Sequence, residues 1–169
     1  MTRIVSAAAL LVVLTTALAG CGDEDADPRA SGSEGPPLTL TASGGCGDAY
    51  FWATTSDDEH AVVVSVDLGE RSASEPTVRE LELPDPDVEV ELWQGSGLRS
   101  LMCNDLVAGE VTEETPVVEG RLTITLQPRP EKPGNLTDGK AELRGLVAED
   151  GTTIADLDIK TTSIGFYAG

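Results

Sequence analysis

The chain has 169 residues, 30 Asp and Glu against 11 Lys and Arg, a formal net charge of −19 and 40% apolar residues, a length and composition suited to one domain with a core. Such a charge argues against nucleic acid as a partner, because phosphate binding needs clustered Lys and Arg. The single histidine, His60, argues against multi-histidine metal sites and is the only base for a Ser–His or Cys–His pair.

Residues 1–20 carry one charge, Arg3, followed by an apolar run from Ile4 to Gly20. A basic start, an apolar middle and small residues before a cleavage point describe a secretory signal. The run is marginal for a membrane span, which needs about 20 predominantly apolar residues. Leu18-Ala19-Gly20-Cys21 then resembles, at all four positions, the lipobox of bacterial lipoproteins. That resemblance implies cleavage before Cys21, diacylglycerol on its sulfur, and anchoring to the outer face of the cell membrane. An ordinary signal peptide containing a Cys, or an uncleaved anchor, is the alternative. Gly22 follows the cysteine, so the Asp that retains Gram-negative lipoproteins at the inner membrane is missing. Cleavage would remove Arg3 but no acid, so charge could not assist attachment to anionic lipid. Retention would rest on the acyl chains, at roughly 0.8 kcal/mol per buried CH₂.

Residues 21–37 follow as an acidic tether. Gly22 to Pro37 has no large apolar side chain and is rich in Asp, Glu, Gly, Ser and Pro, so it cannot bury enough surface to offset ordering. A flexible segment of this length reaches roughly 20–25 Å.

From Leu38 to the end, 38–169, the apolar period is two. Val62, Val64 and Val66 alternate with polar or opposite-face positions, as do Val88, Val90 and Leu92, then Leu122, Ile124 and Leu126. About eight strands are expected: 38–43, 49–55, 60–68, 77–83, 87–93, 120–127, 140–148 and 152–160, with a short terminal strand at 163–168. Turns at Pro84-Asp85-Pro86-Asp87, at Pro133-Gly134-Asn135 and at Asp150-Gly151 separate them. Leu98, Leu101, Met102 and Leu106 allow one or two helical turns. The expected fold is all-β, a mainly antiparallel β-sandwich, with a β-barrel as the alternative.

With Cys21 lipidated, two thiols remain in an oxidising compartment, so Cys46 and Cys103 are expected to form a disulfide. It would fasten the segment after Trp93 to the start of strand 49–55. Gly45-Cys46-Gly47-Asp48-Ala49-Tyr50-Phe51-Trp52, Cys103-Asn104-Asp105 and the hairpin Gly145–Gly151 resemble small secreted actinobacterial lipoproteins. The Ala-, Gly- and Val-rich composition with more Arg than Lys agrees with that source. The resemblance implies no activity.

Sites of chemistry are sparse. There is no Gly-x-Ser-x-Gly elbow, Ser-x-x-Lys, His-Glu-x-x-His or phosphate-binding glycine loop, so catalysis, including that of an envelope hydrolase, is not expected. Asp57-Asp58-Glu59, next to His60, is the densest set of ligands and could hold Ca²⁺, which accepts irregular oxygen donors; a solvated hairpin turn accounts for the same residues. Tyr50-Phe51-Trp52 puts Tyr50 and Trp52 on one strand face and Phe51 on the other. Together with Trp93 they form a candidate binding surface, or a central strand whose outer rings are covered by the Cys103 loop. The expected function is a non-enzymatic binding or structural role at the cell envelope, toward an unidentified envelope protein. A calcium or small-ligand module is the alternative.

Overall fold

The computed structural model describes residues 35–69, 72, 74–104, 108–128 and 135–165. The signal segment, Cys21, most of the tether, Leu106 and the last residues of the 163–168 strand lie outside the described residues.

Among the described residues nine strands form: β1 Ala42–Cys46, β2 Tyr50–Thr54, β3 His60–Val66, β4 Thr77–Leu83, β5 Val88–Ser96, β6 Glu110–Leu126, β7 Leu136–Ala148, β8 Thr153–Ile154 and β9 Leu157–Gly165. They pair antiparallel in the order β1-β2-β3-β5-β6-β7-β8, with β4 also on β6 and β9 also on β7. One parallel bridge, Leu38 to Ile154, lies outside this ladder. The result is all-β, as the period-two pattern requires. The two layers of the expected sandwich are continuous, however: one sheet curls into a half-barrel.

β6 makes the curl. Its first half pairs with β5, and its second half lies between β4 and β7. Register shifts on either side of Glu119 bend it between the two. Gly120 sits there at φ 136, where a Cβ would stand 3.1 Å from the Arg144 carbonyl oxygen, so only glycine fits the bend. At the far end the Thr161 hydroxyl donates to the Gly45 carbonyl (3.1 Å) and the Gly165 N–H to that of Gly47 (2.7 Å), tying β9 to β1.

Several boundaries depart from expectation: β5 runs on to Ser96, β7 begins at Leu136 rather than 140, and β9 joins the end of the expected 152–160 strand to the start of the expected 163–168 strand. The first strand lies at 42–46 rather than 38–43, because Gly44 and Gly45 are ladder residues and not a turn. β6 begins at Glu110, ten residues before the expected 120, since its first half is largely exposed and shows no apolar alternation. The expected strand 152–160 breaks at Ala155-Asp156, where the Ala155 N–H bonds the Leu38 carbonyl (3.0 Å) and Asp156 accepts from the Gly145 N–H (2.9 Å). The expected helical stripe is a single 3-10 turn, Leu98–Leu101.

Inside the curl, Phe51, Val62, Val64, Leu122, Ile124, Leu126, Leu143, Ile159 and Ile164 are buried in one cluster. Each such side chain contributes roughly 1.5–3 kcal/mol on leaving water.

Candidate functional site

The outer face of β2, β3 and β5 carries a second, smaller apolar cluster. Phe51 turns inward and is fully buried, which leaves Tyr50 and Trp52 outside, as alternation demands. Opposite them on β3, Ala61 and Val63 face outward and are nevertheless buried. The cover is the 3-10 turn, whose Leu98 and the following Met102 pack onto Ala61 and Val63, with Tyr50, Trp52, Trp93 and Leu101 around them.

Four attachments hold that cover. Leu98 N–H donates to the Asp58 carbonyl (3.1 Å) and Gly95 N–H to that of Glu59 (2.9 Å). Arg99 pairs with the Asp58 carboxylate at 2.9 Å. Cys103 is bonded to Cys46, the disulfide expected from cysteine parity, across 57 positions of sequence. The rings are therefore packed beneath the Cys103 loop, and only their partly exposed rims reach solvent.

The polar ends of these rings differ. Trp93 Nε1 donates to Glu91 at 2.8 Å. Tyr50 O–H donates to the Met102 sulfur at 3.5 Å. Burial, reinforced by the Glu91 charge, pushes the Tyr50 phenol up to about 12. The Trp52 indole lies across the glycine opposite it: a Cβ on Gly44 would stand 2.7 Å from Trp52 Cζ2. Its Nε1 is buried and has no hydrogen-bond partner among the described residues. An unsatisfied buried donor costs about 1–3 kcal/mol, which the ring's apolar contacts must offset.

The acidic turn between β2 and β3 directs its aspartates at its own backbone and hydroxyls and at the covering turn. Asp57 accepts from the Thr55 hydroxyl (2.5 Å) and the Glu59 N–H (3.2 Å), and these bonds lower its pKa. Asp58, at φ 59, accepts from the Thr54 hydroxyl at 3.1 Å and pairs with Arg99. Two of the three carboxylates thus serve the turn and its cover. Among the described residues no group of three or more His, Cys, Asp or Glu is arranged to hold a metal ion. His60 opens β3, and its N–H donates to the Thr55 hydroxyl at 3.1 Å.

Sequence reasoning singled out Tyr50, Trp52 and Trp93 but not their partners Ala61, Val63, Leu98 and Met102. A signal was present: Ala61-Val62-Val63-Val64 is an unbroken apolar run, the mark of a strand covered on both faces. The chain matches no protein-family model, no curated protein and no solved structure.

Proposed function

We propose that this chain is a lipid-anchored extracytoplasmic lipoprotein whose half-barrel acts as a non-enzymatic binding module at the cell envelope. The observation that carries the reading is the cysteine inventory. Of three cysteines, Cys46 and Cys103 are consumed by the disulfide, and the one left over is Cys21, at the last position of Leu18-Ala19-Gly20-Cys21. A long-range disulfide also fits an oxidising compartment. The acidic tether then serves as a spacer, and two acyl chains suffice for retention without help from charge.

The test is metabolic labelling with an alkyne-bearing palmitate in a bacterial host, followed by detergent phase partition. The wild-type protein is expected to take up label and enter the detergent phase. Cys21→Ser is expected to lose both. A wild-type protein that stays unlabelled and aqueous, or a Cys21→Ser variant that keeps its label, overturns the reading.

A further inference from the structure

The outer face on the far side of the curl is built differently. There β4, β6, β7 and β9 present side chains in rows set by their register. One row aligns Thr125, Lys140 and Lys160; the next aligns Thr123, Glu142 and Asp158. Lys140 is satisfied by the neighbouring row, with Glu142 at 2.9 Å and Asp158 at 3.7 Å. Arg144 is held by the same two carboxylates. Lys160 stands directly opposite Lys140, is exposed, and makes no ion pair among the described residues.

Like charges directly opposite in a sheet are unfavourable. In a chain with 30 acids and only three Lys, an acid at position 160 would match Lys140 better than a second ammonium group does.

The two lysines line one groove of about 640 Å³ that runs over β9 and β7 toward β1 and the end of β6. Its lining has no large apolar side chain. Lys160, Asp138, Thr125, Thr162 and Ser163 line one concavity beside Lys140, whose ammonium group is taken up by Glu142 and Asp158. A bare inorganic anion would meet Asp138 and the net negative charge of the whole chain. A polyanion would meet the same field many times over. A sugar bearing one isolated carboxylate suits both halves of the lining: its anion bonds the Lys160 ammonium group, and its hydroxyls donate to Asp138 and exchange bonds with Thr and Ser.

We infer that this groove binds a saccharide carrying an isolated carboxylate, such as a uronic-acid-terminated oligosaccharide, with Lys160 as the principal anion contact. This names a ligand class for the binding role proposed above. It does not depend on lipidation, so its failure is distinct from that of the labelling experiment.

The test uses the full chain in detergent, titrated by calorimetry and by ¹⁵N–¹H NMR with three probes: cellobiouronic acid, its neutral counterpart cellobiose, and inorganic phosphate. Cellobiouronic acid is expected to bind and to shift the amides of Lys160, Thr161 and Thr162. Cellobiose and phosphate are expected to bind at least about tenfold more weakly, the loss of one charge-assisted contact. Lys160→Gln should weaken the acid by about tenfold while leaving the melting temperature unchanged or slightly higher, since it removes the repulsion from Lys140, and Lys160→Arg should retain most of the binding. Three results overturn the inference: no amide shifts near Lys160 up to 10 mM cellobiouronic acid, equal affinity for cellobiose or phosphate, or a Lys160→Gln variant that binds as wild type.

Discussion

Removing the Cys46–Cys103 bond by the double substitution Cys46→Ala, Cys103→Ala tests what holds the aromatic face shut. The bond closes a loop of 57 positions. Chain-entropy reasoning assigns a loop of that length about 4 kcal/mol, by restricting the unfolded chain. The folded state changes too, because among the described residues the bond is the one covalent cross-link from the covering turn to the sheet; Arg99–Asp58 and two backbone hydrogen bonds remain. Both tryptophans of the chain, Trp52 and Trp93, lie in the cluster under that turn, so indole emission reports on it selectively. Guanidinium unfolding of the variant should show a stability loss near 4 kcal/mol with the far-UV spectrum of the folded state retained. Without denaturant, its emission should shift to the red and become accessible to acrylamide. A loss below about 1 kcal/mol with unchanged emission would refute the reasoning: packing of Leu98 and Met102 alone would then close the face.

Three further outcomes follow from individual side chains. Leu98→Ala empties a fully buried site over Ala61 and Val63 and should cost about 2–5 kcal/mol in chemical denaturation, whereas Leu136→Ala, at a position 46% exposed, should stay within about 0.5 kcal/mol. Gly95→Ala places a Cβ against the Glu110 carbonyl oxygen at the β5–β6 register shift and should cost more than about 2 kcal/mol; Gly47→Ala, at φ 58 with open space around it, should cost only the left-handed backbone term of roughly 1–2 kcal/mol. Tyr50 stays protonated in the folded protein up to about 12, while the unfolded phenol ionises near its ordinary value of 10, so the unfolded chain binds fewer protons in that window. Stability should therefore fall as pH rises from 10 toward 12, and Tyr50→Phe should reduce that fall, leaving the part due to Lys140, whose ion pairs also raise its pKa; an unchanged alkaline slope in the variant counts against the assignment.

The chain pattern alone determined the class of fold. Alternation at Val62, Val64 and Val66 and at Leu122, Ile124 and Leu126 requires strands with one buried face, and each of these residues is in the main core. Cysteine parity, read with the expectation that Cys21 carries lipid, pointed to the one pairing left, Cys46 with Cys103, and that bond is present. Both signals are local or countable, and neither needs the chain to be folded in space. The tertiary structure alone decided which turns are turns. Gly44 and Gly45 look like a break, yet they form β1, because the Trp52 ring opposite needs the space a side chain would fill. Glu110–Pro116 lacks any apolar rhythm, yet it is strand, because β5 pairs with it while much of it stays in water. The Asp57–Glu59 turn offers ligands by composition, but Asp57 and Asp58 bond the nearby Thr55 and Thr54 hydroxyls, and Asp58 also meets Arg99, a partner that only folding brings near. The same holds for the groove. Lys140 and Lys160 are twenty positions apart and become neighbours only through the β7–β9 register, since cross-strand pairing sets distance in space without regard to distance along the chain.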